Sequence, residues 1–248
     1  MKFESNVKLG RPFINYAHGG ASFYAPQNTM LSFMLGLSMG ANGIETAVQK
    51  TKDGQLVLFF DDTLNKSIGK EGKILDYTLC ELKSFWVSNM GLSDKIVTLD
   101  EFLSNFSKKK IFFAIQLKNL DIVSEVVDKL FAYGVQDRCV IMASDYDILL
   151  EVKKLSQKFK TGYITIDTDD NLIKKMLLDG IDELCLNAKN CNLSSVKSLQ
   201  NNGIKVSAWG VLDEELMKSV YDSHADKIMI GFPDKLVDYI GSKITVGQ

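Results

Sequence analysis

From residue 138 onward the chain repeats one pattern. Short β-branched runs begin at Arg138 (RCVIMAS), Thr161 (TGYITI), Asp182 (DELCLN), Lys205 (KVSAWGV) and Lys227 (KIMIGFP), which lie 23, 21, 23 and 22 residues apart. Between them, apolar residues recur on one helical face: Leu172, Ile173, Met176 and Leu177 in one segment, Leu193, Val196 and Leu199 in the next. Tyr133-Gly134, Asp179-Gly180 and Asn202-Gly203 close helices, because glycine takes the required positive φ without a Cβ penalty. A strand and a helix in every repeat predict parallel strands joined by crossover helices.

The first half carries the same units with one interruption. A helix is expected from Asn28, with Asn28 or Thr29 as its cap and Met30, Phe33, Met34 and Leu37 as its buried stripe, ending at Met39-Gly40. Residues 44–50 and 55–60 flank TKDG, whose Asp53-Gly54 favours a tight antiparallel turn. The second run is therefore an arm and not the next parallel strand. Residues 13–17, 43–48 and 111–117, with the five later runs, make eight strands, the number of a TIM (β/α)8 barrel. Residues 65–99 break the repeat and read as a small insertion after the second strand, with a helix over 100–106 behind it. No linker or low-complexity segment interrupts residues 1–248, so the chain reads as one domain.

Composition narrows the function. With 46% apolar residues the chain can bury a large core. A net charge of −2, from 29 basic and 31 acidic residues mixed along the whole length, gives no basic face for nucleic acid. The start, MKFESNVKLGRPF, lacks the apolar core of a signal peptide, and no run approaches the roughly 20 apolar residues of a membrane span. A soluble, cytoplasmic protein is expected. Cys80, Cys139, Cys185 and Cys191 form no C-x-x-C pair and are expected as reduced thiols, buried at Cys139 and Cys185. Arg11 and Arg138 are the only arginines, so a bidentate arginine clamp on a phosphate is hard to supply.

In an eight-stranded barrel of this kind, the site is built at the C-terminal strand ends. That rule selects His18, Glu45, Ala47, residues 60–62 at the end of the arm, Gln116, Lys118, Ser144, Asn187, Trp209 and residues 230–232. His224, the other histidine, precedes the last strand and belongs to the opposite end. The motifs AHGG, APQNT, MGANGIETAV, TKDG, DDTL, IQLK, SAWG and GFPD run in order over most of the chain. In that order they resemble the glycerophosphodiester phosphodiesterase family, whose members carry His-Arg-Gly, Pro-Glu-Asn-Thr, Glu-x-Asp, Thr-Lys-Asp-Gly and His-Asp. The resemblance implies a TIM barrel that hydrolyses phosphodiesters with two histidines as acid and base and with Ca²⁺ or Mg²⁺ held by three carboxylates. Acid and base shuttle the protons of the attacking and departing oxygens, and the cation neutralises charge on the phosphate.

Carried over residue by residue, His18 matches the first histidine and Glu45 the first metal carboxylate. Phe60 stands where the second histidine belongs, and Ala47 and Gln116 replace the other two carboxylates. Gly19 replaces the arginine, Gln27 the glutamate of Pro-Glu-Asn-Thr, and Gly231 an aspartate near the last strand. The expectation is a family scaffold whose two-histidine, metal-dependent turnover is lost or severely weakened, and which binds a small phosphorylated or polyol ligand. His18 remains as the catalytic position and Glu45 as a weak metal position, with no cofactor assigned. Lys118, Gln116, Asp61, Trp209 and Gln27 are the expected ligand contacts. One alternative keeps an enzyme in which His18 acts alone while Asp61, Asp62 or solvent completes a cation site; another is a scaffold or oligomerisation domain. Among single residues, Glu45 could instead pair with Lys118 without metal, Ser144 could cap the helix starting at Asp145, and Phe59 with Phe60 could form an apolar wall.

Overall fold

The computed structural model describes residues 12–246; Arg11 and nearly all of the N-terminal stretch read above lie outside the described residues. Eight parallel strands close into a barrel: β1 (Ile14–His18), β2 (Gly43–Lys50), β3 (Phe112–Leu117), β4 (Cys139–Ala143), β5 (Lys160–Thr165), β6 (Glu183–Asn187), β7 (Lys205–Val211) and β8 (Lys227–Ile230). Each pairs with the next, and β8 returns to β1 through Ile14↔Lys227 and Ala17↔Ile230. Eight helices run around the barrel: α1 (Met30–Ser38), α2 (Leu99–Phe106), α3 (Val123–Ala132), α4 (Tyr146–Leu155), α5 (Asp170–Asp179), α6 (Leu193–Asn201), α7 (Glu214–Asp222) and α8 (Pro233–Val246). Each strand expected from the sequence is present to within one or two residues at its ends, except that the last stops at Ile230, three residues short of the KIMIGFP run, where Pro233 opens α8.

The arm is antiparallel, as Asp53-Gly54 requires. Leu56–Leu58 pairs back on β2 with Val48↔Leu58 and Lys50↔Leu56, and Gly54 takes φ +81° in the turn. A short strand, Val97–Thr98, pairs with the arm's far side, and residues 87–94 fold as a separate two-stranded hairpin. Val57, Phe59, Leu64, Ile74, Leu82, Val87 and Ile96 give this insertion an apolar core of its own. Phe59 thus faces the insertion, so the expected Phe59–Phe60 wall at the site consists of Phe60 alone.

The helix faces differ from the expected stripes where packing is close. On α1 the buried residues are Ser32, Phe33, Gly36 and Leu37, while Met34 is exposed. A Cβ on Gly36 would lie 2.7 Å from the Ala17 side chain, so α1 lies against β1 through its small residues, and Met34 is turned outward. Leu177 on α5 and Leu193 in the first turn of α6 are likewise exposed, leaving Ile173 with Met176 and Val196 with Leu199 to face the sheet. Asp145, not Ser144, caps α4 by accepting from the Asp147 amide.

Inside the barrel Tyr16, Ala114, Val140, Met142, Cys185 and Met229 pack together. Further along lies a buried ion pair between Glu183 and Lys227, with Ser207 Oγ donating to Glu183 Oε1 at 2.7 Å. Burial alone would lower the Lys227 pKa, but the charge and hydrogen bond of Glu183 hold it above the ordinary lysine value. Cys139, Cys185 and Cys191 are buried thiols and Cys80 is an exposed one. Among the described residues no helix is long and apolar enough to cross a membrane.

Candidate active site

The β1–α1 loop is fixed by its own backbone chemistry. Gly19 and Gly20 leave the end of β1 at φ +59° and +85°. A Cβ at Gly20 would stand 2.3 Å from the Ser32 carbonyl carbon, so the close approach of the loop to α1 demands glycine. Ser32 Oγ donates to the Gly19 carbonyl, the Asn28 amide donates to the same oxygen, and Thr29 Oγ1 caps α1 by accepting from the Ser32 amide. Asn28 is not the cap; it holds the rare φ of +58° while Thr46 Oγ1 on β2 donates to its Oδ1 at 2.7 Å. These bonds tie the loop to β2, beside which His18 must sit.

Strand register then decides the pairing. His18 is the last residue of β1 and lies opposite Glu45 of β2, with Nδ1 and Oε2 2.7 Å apart in an ion pair that lacks the alignment of a linear hydrogen bond. The Gly19 amide donates to the Glu45 carbonyl at 2.9 Å and approaches Glu45 Oε2 at 3.2 Å. Glu45 is buried, whereas the His18 side chain keeps 30% of its surface exposed toward the barrel mouth. Burial alone would lower the His18 pKa, but the adjacent Glu45 carboxylate outweighs it, and the imidazole titrates above its ordinary value. Glu45 therefore pairs with His18 and not with Lys118.

Lys118, just past β3, has other partners. Its Nζ donates to Asp62 Oδ1 at 2.7 Å and to the Phe60 carbonyl, and lies 5.0 Å from the centre of the Phe60 ring. The hydrogen bond and charge of Lys118 hold the Asp62 carboxyl below its usual range. Phe60 packs edge-on against His18, ring centres 5.4 Å apart. Asp61 serves the arm instead of the mouth: its carboxylate accepts from Ser67 Oγ at 2.5 Å and its carbonyl accepts from Gln49 Nε2 at 2.9 Å.

The remaining positions follow from register. Ala47 and Gln116 are partners on β2 and β3, side by side and one pleat nearer the mouth than Glu45. Gln27 leans over Gly19, where a Cβ would lie 2.2 Å from its Cγ. Phe23 and Ser22 fill the space above Gly231 in the same way, a Cβ there falling 2.6 Å from each side chain. Trp209 Nε1 donates to the carbonyls of Cys185 and Thr165, which lays the indole from β7 across β6 to β5. His224 sits in the α7–β8 connection at the other end of the barrel. Among the described residues no group of three or more His, Cys, Asp and Glu side chains is placed to hold a metal ion.

A profile of the Glycerophosphoryl diester phosphodiesterase family matches residues 18–235, from the β1 histidine into α8. The chain belongs to this family. An uncharacterized protein of Bacillus subtilis, YqiK, is 31% identical over 232 residues, covering 89% of this chain and 95% of that protein. A glycerophosphodiester phosphodiesterase of Caldanaerobacter subterraneus is 26% identical, covering 90% of this chain and 96% of that protein. An Oleispira antarctica phosphodiesterase, solved in complex with its product sn-glycerol-3-phosphate, superposes with a TM-score of 0.84 at 24% identity, covering 92% of this chain and 96% of that one. This likeness shows the same barrel fold.

Within the family frame, the departures from the motif have neighbours that the motif does not mention. Gln27 packs over Gly19, and Phe23 over Gly231. Reading the sequence missed Phe23 and the Thr46–Asn28 and Lys118–Asp62 bonds, because each joins a loop to a strand tip. The one available signal was Asn28 itself, a residue type that tolerates positive φ, immediately ahead of a helix cap.

Proposed function

We propose that this family member binds a small phosphate ester at its strand tips without a divalent cation, and that its metal-dependent, two-histidine hydrolysis is lost or severely weakened. The observation that carries the reading is the pairing of His18 with Glu45. Where the resemblance calls for a free acid and a free metal carboxylate, the two remaining groups are bound to each other. The donor set does not fit a cation held by three carboxylates: Ala47 has no ligand atom, Gln116 offers a neutral oxygen, and hard cations want several oxygens, about 6–8 for Ca²⁺. The imidazole edge on the exposed side of His18, whose pKa the Glu45 carboxylate raises, and the nearby Lys118 ammonium suit an anion. Gln27 and Phe23 occupy the volume beside two further lost positions, so the polar groups have been replaced by packing.

Isothermal titration calorimetry with glycerol 3-phosphate in EDTA tests the binding. Saturable binding that survives EDTA and is lost in His18→Ala supports the reading; binding that appears only with Ca²⁺ or Mg²⁺ contradicts it. A weaker enzyme is the second reading, favoured by the raised pKa and partial exposure of His18, which suit a lone general acid.

A further inference from the structure

The barrel mouth is split into two unlike halves. From β1 to β3 it presents His18, Gln116 and Lys118. From β5 to β8 it presents large apolar side chains to solvent: Ile166, directly after β5, is 62% exposed; Leu212, directly after β7, is 65% exposed; Phe23, whose amide donates to the Gly231 carbonyl beyond β8, is 43% exposed. The Trp209 indole joins them, since its Nε1 bonds to the carbonyl of Thr165, the residue before Ile166. Phe23 packs on Phe232, ring centres 4.8 Å apart.

Several polar side chains in the same half are engaged by the protein itself. Asn190 Nδ2 donates to the Ile166 carbonyl and to Asp167 Oδ1. Asn187 Oδ1 accepts from the Lys189 amide, and Asp169 and Asp213 cap α5 and α7. A mouth that took only a small polar anion would gain nothing from leaving Ile166 and Leu212 in water, because each exposed aliphatic chain forgoes burial that a ligand can supply.

We infer that the ligand is amphiphilic: a phosphate ester whose anionic head lies between His18 and Lys118 and whose alkyl or acyl arm runs over Trp209 to Ile166 and Leu212. The inference rests on the anion-binding reading above and adds the chemistry of the arm. The strand order supports it, because Ile166 follows β5, four strands from β1 in the closed ring, so a ligand seated at His18 must cross the mouth to reach it.

The test is a calorimetric series with methyl, butyl and hexyl phosphate in EDTA. A buried methylene is worth about fourfold in affinity, so partial burial of the chain predicts that hexyl phosphate binds about 10- to 100-fold more tightly than methyl phosphate. The Ile166→Ser, Leu212→Ser double variant, altered only at exposed positions, should fold, retain methyl phosphate binding and lose most of the chain-length gain. Equal affinity along the series, with methyl phosphate still bound, overturns this inference and leaves the anion site standing. No binding of any member overturns the anion site itself. Ligand-independent dimerisation that the double variant abolishes would show that a second copy covers the rim, and would also overturn the inference.

Discussion

Glu45, third residue of β2, holds the imidazole of His18, last residue of β1, with a buried carboxylate oxygen 2.7 Å from Nδ1. The pair arises from register alone, since the two residues are parallel-sheet partners. It raises the pKa of the one matched family histidine at the edge of solvent.

Removing that carboxylate should therefore invert the shift. In Glu45→Gln the burial remains and the charge does not, so the His18 pKa should fall from above to below the ordinary value of about 6.5. The chain has two histidines, so NMR titration of their ring protons resolves the change directly. The sign for stability follows: a pKa raised by folding stabilises the native state below the unfolded value and loses that contribution as pH rises through the folded one. The stability difference between the wild type and Glu45→Gln should be greatest near pH 6 and shrink above neutrality.

Ala47 and Gln116 are register partners on adjacent strands, one pleat beyond Glu45, so carboxylates placed there would face the same space. Ala47→Asp with Gln116→Glu should raise Ca²⁺ affinity at least about tenfold by calorimetry, as ligand charge and oxygen count both increase. Unchanged Ca²⁺ binding in the folded double variant would show that these side chains do not converge. Substantial hydrolysis should require Phe60→His as well.

The Glu183–Lys227 pair inside the barrel predicts an asymmetry. Glu183→Ala leaves a buried ammonium and should cost about 3–5 kcal/mol in denaturant unfolding, whereas Glu183→Gln with Lys227→Met removes both charges and should cost much less. Equal losses would mean that the site is wet enough to solvate the orphaned lysine.

At Gly20 a methyl group meets the Ser32 backbone at 2.3 Å under a positive φ. Gly20→Ala should destabilise the protein by about 1–3 kcal/mol and weaken glycerol 3-phosphate binding together, because the strained loop carries His18. A stable variant with unaltered binding would separate the loop from the site.

The barrel could be read from residue spacing because each βα unit repeats a local pattern, and the arm because Asp53-Gly54 dictates its turn. The site was readable only as positions. That His18, Glu45, Gln116 and Lys118 stand at strand tips follows from the fold, but which of them touch depends on the shear between neighbouring strands, which no periodicity encodes. Glu45 found His18, and Lys118 found Asp62 from the arm. Met34 was misjudged for a related reason: α1 lies so close to β1 that Gly36 and Ser32, not the larger Met34, make the contact. Phe23 lay beyond sequence reasoning, since a loop aromatic carries no signal of the strand tip that it will cover.

The most direct test of the central claim is a hydrolysis assay of glycerophosphocholine with Mg²⁺, Ca²⁺ and Mn²⁺, run on the wild type and on His18→Ala. The account predicts little or no metal-stimulated turnover in the wild type. Ordinary turnover that depends on the cation and falls sharply in His18→Ala would contradict it.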